Sequence, residues 1–148
     1  MIKEIFIIGI GGQGALTLGE ILSITANLNG YSTTLYPFYG SQMRGGMAGC
    51  IVKIDTDGNE ITNPTISEPD DFLVLDYKYF DDYKRFVSEK SKIYNLDKIN
   101  DKNINILLLK KYISETRLFS NEDIKKAIKE KFKKEIVYTK KIEIYDGV

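Results

Sequence analysis

The chain has 148 residues, one cysteine and no histidine, 21 basic against 21 acidic side chains, and 43% hydrophobic residues, the make-up of one globular domain of ordinary size. Without histidine it can build neither a Ser-His-Asp or Cys-His nucleophile nor a His-ligated zinc site, and a lone cysteine cannot hold an iron–sulfur cluster. No secretory leader and no apolar run near the ~18 residues of a membrane span is visible, so a cytoplasmic protein without a membrane partner is expected.

Glu4 to Ile8 is an apolar run ending at Gly9, the pattern of a strand buried on both faces of a parallel sheet. From Ala15 to Leu28, Leu18, Ile21, Leu22, Thr25 and Leu28 recur at helical spacing, with Gly30 placed as a left-handed cap. Thr33 to Tyr36 reads as a strand stopped by Pro37, and Gly49 to Ile54 as another. Asp57-Gly58 supplies turn chemistry for a hairpin back to Glu60-Ile61. Cys50, unable to form an internal disulfide, is expected to act as a buried small hydrophobe.

Phe72 to Leu75 predicts a further strand, Tyr79 to Val87 a helical stretch, and Lys92 to Leu96 another strand. Ile104, Leu107, Leu108 and Tyr112 share a helical face, and Ser120 with Asp123 forms a capping box opening a helix that buries Ile124, Ala127, Ile128 and Phe132. Ile142 to Tyr145 reads as a short edge strand. Strands alternating with helices, with no linker or repeat, predict a single α/β domain over residues 1–148: three layers, α/β/α, around a mostly parallel, Rossmann-like sheet plus a hairpin.

Charge is uneven: the first 77 residues carry three basic and nine acidic side chains, the remainder eighteen and twelve. Lysines interleaved with Glu and Asp along amphipathic helices read as a solvated face, so no nucleic-acid partner is expected.

Gly9-Ile10-Gly11-Gly12-Gln13-Gly14 satisfies G-x-G-x-x-G between a strand and a helix, the setting in which glycines let an anion approach a helix N-terminus. A dinucleotide site also needs an acid about twenty residues on, and Ser32 to Pro37 offers none. Gln13 argues for more than a tight turn, since the turn itself has no evident use for an amide there. Between Glu20 and Lys53 the only charged side chain is Arg44, within Pro37-Phe38-Tyr39-Gly40-Ser41-Gln42-Met43-Arg44-Gly45-Gly46-Met47. A guanidinium so isolated either pairs with a carboxylate of the fold or offers a bidentate fork to an anionic ligand or partner.

Taken together, Gly11-Gly12-Gln13-Gly14, Tyr39-Gly40, Arg44-Gly45-Gly46, and Asn63-Pro64 before Pro69-Asp70 resemble the gamma subunit of 2-oxoacid:ferredoxin oxidoreductases, of the pyruvate, 2-oxoglutarate and ketoisovalerate types. The likeness is strong over residues 4–76 and weaker beyond. Gln42 stands where the family commonly has glutamate, the chain is shortened between Leu96 and Ile104, and Met43 to Cys50 looks closer to the 2-oxoglutarate type.

The resemblance implies a subunit of an enzyme that oxidatively decarboxylates a 2-oxoacid with coenzyme A, in an anaerobic setting, giving an acyl-CoA and reduced ferredoxin. It implies that this chain binds no cofactor alone and is inactive by itself. The same resemblance implies coenzyme A at the subunit interface, and thiamine diphosphate and 4Fe-4S clusters on partner subunits, of the thiamine-binding alpha/beta type and the ferredoxin-like delta type, in a hetero-oligomer. Binding positions carried over are Gly11, Gly12, Gln13, Gly14, Tyr39, Gly40, Arg44, Gly45 and Gly46, with no catalytic residue and no metal ligand. Two other readings are a free-standing nucleotide-binding α/β domain, and a partner-binding module that keeps the fold without the oxidoreductase.

Overall fold

The computed structural model describes residues 1–40, 46–62, 68–97 and 100–147. Five strands, β1 (Ile2–Ile10), β2 (Ser32–Tyr39), β3 (Met47–Asp55), β4 (Asp71–Val74) and β5 (Lys92–Asn95), alternate with α1 (Ala15–Leu28), a 3-10 helix (Phe80–Phe86), α2 (Ile104–Thr116), α3 (Asn121–Phe132) and α4 (Glu135–Asp146). The expected α/β fold is present. Its sheet has the order β2-β3-β1-β4-β5, with β1, β4 and β5 parallel and β3 antiparallel to both β1 and β2. Four strands thus run one way and β3 runs against them.

β1 lies at the centre because its residues 4–9 are buried, which suits a strand covered on both faces. On one face Ile5, Ile7, Val52, Ile54 and Leu73 pack against all four α-helices. Leu18, Ile21 and Leu22 of α1 are completely buried there, each burial worth about 1.5–3 kcal/mol. Gly19 lets the helix come down on the sheet: a Cβ at that position would lie 2.5 Å from Cys50 Sγ and 3.0 Å from Leu35 Cδ1. Cys50 is fully buried, as expected of a small core hydrophobe, and burial pushes its thiol up to about 12.

On the other face Phe6, Ile8, Ile51, Phe72 and Val74 are covered by the 3-10 helix through Phe80, with Tyr83 and Phe86 alongside. The ring of Phe6 sits 5.1 Å from Phe38 and 5.2 Å from both Phe72 and Tyr83. The apolar spacing of Tyr79 to Val87 predicted a helical stretch, and the element there is a 3-10 helix over Phe80–Phe86.

Three local expectations are corrected. Pro37 does not stop β2; it lies opposite Cys50 on an edge strand, where a missing N–H costs no ladder bond. The hairpin is formed by β2 and β3, and residues 60 and 61 belong to no strand. At the Asp57-Gly58 turn, Gly58 N–H donates to the Asp55 carbonyl at 3.1 Å, and the Asp57 carboxylate takes the N-terminal ammonium at 2.6 Å. Ile142 to Tyr145 is helical, within α4, where the buried Tyr145 hydroxyl donates to Asn121 Oδ1 at 2.7 Å. Among the described residues no helix is long and apolar enough to cross a membrane.

Candidate ligand cleft between two glycine loops

β1 delivers the chain at Gly9-Ile10 into a turn that α1 must leave within four residues. The turn needs left-handed backbone at two of them, Gly12 (φ 92°) and Gly14 (φ 80°), which glycine adopts without steric cost. Around Gly12 a Cβ would meet nothing within 4 Å, so the loop is open to solvent there. Gly14 is the N-cap of α1, with no side-chain cap and no acidic residue in the first turn. The first-turn N–H groups of α1 therefore keep their partial positive charge uncompensated by a local carboxylate.

Gln13 uses its amide inside the fold. Its Oε1 accepts from Ile10 N–H at 2.9 Å and its Nε2 donates to Asp76 Oδ2 at 3.5 Å. The expectation that the turn had no use for an amide is thereby corrected: Gln13 closes the turn and ties it to the end of β4. Gly9 is part of this arrangement, because a Cβ on it would press on Gln13 Oε1 at 2.7 Å and Leu75 Cβ at 3.0 Å.

The second glycine loop reaches the first through its ends. Gly11 N–H donates to the Gly46 carbonyl at 2.8 Å, and Gly40 N–H donates to the Met47 carbonyl at 2.8 Å. Gly11, Gly12, Gly14, Tyr39 and Gly46 line one cleft of about 420 Å³, floored by the first turn of α1 at Ala15, Leu16 and Thr17. Tyr39 is 66% exposed and stands at its rim.

Of the residues predicted for the site, five line this cleft and Gly40 is bonded beside it. Gln13 faces instead a second hollow of about 500 Å³ with Leu75 and Asp76. Arg44 and Gly45 lie outside the described residues, as do Gln42, Met43 and Asn63-Pro64. Asp70 is used by the sheet, its carboxylate accepting from Glu4 N–H at 2.8 Å.

Every described lining residue is uncharged, so what the described part of the cleft can offer a ligand is backbone N–H groups and the hydroxyls of Tyr39 and Thr17. Sequence reasoning missed Asn105 and Asp76, which hold the first loop from outside it. A buried polar residue opening an otherwise apolar helix stripe was the available signal for Asn105.

The chain is similar to subunits of several oxidoreductases. The chain is 35% identical over 83 residues to the ketoisovalerate oxidoreductase subunit VorA of Methanothermobacter thermautotrophicus, covering 56% of this chain and 17% of that one. It is 38% identical over 78 residues to the pyruvate/ketoisovalerate oxidoreductases common subunit gamma of Thermococcus litoralis, covering 53% and 42%. To the 2-oxoglutarate synthase subunit KorC of M. thermautotrophicus it is 35% identical over 88 residues, covering 56% and 46%. The matched stretch thus spans less than half the length of each of these relatives.

In fold, the chain matches the gamma subunit of a keto/oxoacid ferredoxin oxidoreductase from Geobacter sulfurreducens with a TM-score of 0.75 at 21% identity, over 99% of this chain and 95% of that one. It also matches 30% of a 2-oxoglutarate:ferredoxin oxidoreductase from Magnetococcus marinus, solved with 2-oxoglutarate, coenzyme A and succinyl-CoA bound, with a TM-score of 0.77 at 16% identity. Since the pyruvate ferredoxin/flavodoxin oxidoreductase family model matches residues 4–101, a span that contains both glycine loops and all of the sheet but the first two residues of β1, the chain belongs to that family.

Proposed function

We propose that this chain is the gamma-type subunit of a 2-oxoacid:ferredoxin oxidoreductase, and that its two glycine loops form its side of the coenzyme A site. The observation that carries the reading is the bond from Gly11 N–H to the Gly46 carbonyl, which makes one cleft of two loops distant in sequence. Coenzyme A is a fitting occupant: its phosphates are anionic, and the cleft offers the open backbone at Gly12 and the first-turn amides of α1. Arg44 and Gly45 join from the sequence pattern, Arg44 as a fork for a phosphate or a partner carboxylate. The role is to hold the coenzyme so that its thiol meets the reacting acyl group at a fixed distance.

Thiamine diphosphate and the iron–sulfur clusters belong to partner subunits in this reading. The residues here fit that division: the only cysteine is fully buried behind α1, and the sequence has no histidine. Ferredoxin is the electron acceptor and the assembly is a cytoplasmic hetero-oligomer. Among 2-oxoacids, the stretch from Met43 to Cys50 favours 2-oxoglutarate.

The test is anaerobic isolation of the tagged chain from its native cells, with coenzyme A-dependent viologen reduction assayed on a panel of 2-oxoacids. Co-elution with larger subunits carrying thiamine diphosphate and iron, active on one acid, is the expected result. A chain that elutes alone, with no activity in any fraction it enters, overturns the proposal. In the active complex, Arg44→Ala is expected to raise the apparent KM for coenzyme A about tenfold or more, the loss of one charge-assisted contact.

A further inference from the structure

α2 begins where α1 begins. Asn105, in the first turn of α2, is 6% exposed and occupies the space that a Cβ on Gly14 would need, its Cγ lying 2.9 Å from that position. Its Nδ2 donates to the Gly14 carbonyl at 3.3 Å, and its Oδ1 accepts from Ile106 N–H at 2.9 Å. The second bond fixes which end of the amide faces Gly14. The same carbonyl accepts the first intrahelical bond of α1, from Leu18 N–H at 3.0 Å. Asn105 therefore grips the one peptide group that sets where α1 starts and where its free amides point. The start of α2 is itself anchored, since Lys141 Nζ of α4 donates to Asn103 Oδ1 at 2.9 Å.

We infer that Asn105 is a positioning residue for the ligand cleft: it holds Gly14 in its left-handed conformation and so keeps the amides of Ala15, Leu16 and Thr17 directed into the cleft. It does not line the cleft and acts through Gly14. The inference rests on the coenzyme A reading for its effect on affinity and on geometry alone for its effect on the loop. It also extends the site past residue 101, where the family match ends, because α2 supplies the brace.

The variants are Asn105→Leu, which keeps the branched outline at a larger volume and loses both the donor and the acceptor, and Asn105→Ser, which keeps a small donor, each made in the full chain and assembled in its complex. Asn105→Leu is expected to raise the KM for coenzyme A about tenfold with kcat and the KM for the 2-oxoacid within twofold, and Asn105→Ser to recover part of that loss. In the same chains, hydrogen exchange at residues 18–21, the first bonded amides of α1, is expected to quicken about tenfold in Asn105→Leu while that of β1 stays unchanged. Unchanged KM for coenzyme A, or equal losses in every kinetic constant with a general rise in exchange, overturns the positioning role. If Asn105→Leu does not assemble, Asn105→Ser decides by the same two readouts. A wild-type complex without coenzyme A dependence sinks the functional reading instead, and exchange at residues 18–21 then judges the brace alone.

Discussion

The two faces of the sheet are covered in different ways. On one, four helices bring long-range polar anchors into the apolar layer: Tyr112 OH donates to Asp71 at 2.5 Å, Tyr145 OH to Asn121, and Lys3 pairs with the same Asp71 at 3.0 Å. On the other, one 3-10 helix of seven residues rests on a floor of aromatic rings. A 3-10 helix has poor hydrogen-bond geometry and does not persist on its own account. Its place is held by Phe80 against Phe72, at 6.1 Å edge to face, and by Tyr83 against Phe6 and Phe38. The helical face is secured by directional bonds that have one solution, and the aromatic face by ring packing, which is broad in geometry.

This contrast is sharpest at Phe6, whose ring touches three others. Phe6→Ala is expected to cost about 4 kcal/mol, measured by urea unfolding, with the 3-10 helix losing exchange protection while α1 and α3 keep theirs. Simultaneous loss on both faces would erase the distinction. Next comes the helical face: Tyr112→Phe strands the buried Asp71 carboxylate with one partner fewer, at about 2 kcal/mol. A value near zero would show that Lys3 alone satisfies it.

Gly19→Ala should cost about 2 kcal/mol by overpacking, and Cys50→Ala in the same chain should return part of it, because Cys50 Sγ is the first atom met. Strict additivity of the two changes would disprove that contact. The smallest effect is at Ser120, which caps α3 by accepting from Asp123 N–H at 3.1 Å; Ser120→Ala should cost ~1 kcal/mol.

Alkali should also act on the helical face. Burial raises Cys50 from 9.0 to about 12, and burial, with the Asp146 charge behind it, raises Tyr145 from 10.0 to about 12. A raised acid binds its proton more tightly in the folded chain, so the unfolded chain releases protons first. Stability is unaffected by these groups below pH 9 and falls as pH rises from about 9 to 12, by up to ~1.4 kcal/mol per pH unit for each ionising group. Cys50→Ala should remove the part of the slope that begins near pH 9, and an unaltered pH profile of unfolding would refute its share.

Much of this was legible in the sequence where local signals and tertiary contacts agree. The strand, glycine turn and helix from Ile2 to Leu28 follow the pattern because α1 buries one clean stripe, and Gly30 does adopt φ 75°. The cap at Ser120 was equally plain. α4 was not, because Ile142-Glu143-Ile144-Tyr145 alternates with a period of two while the helix carries apolar residues on several sides, Ile136 being 69% exposed. It is fixed by what Tyr145 reaches. The insertion of β3 between β2 and β1 was hidden too, since nothing local in a strand says which neighbour it takes. In the site, the glycines announced the loop, but the bond from Gly11 to Gly46 and the brace from Asn105 span distances along the chain that no motif encodes.

The central place of β1 has a consequence for synthesis. Both of its neighbours come later: β3 at Met47–Asp55 and β4 at Asp71–Val74. At ~5–20 residues per second, the ribosome makes β3 about 2–9 s after β1. During that interval one of the most apolar stretches of the protein has α1 for company and no strand to pair with, a window in which nascent chains are open to one another and to chaperones.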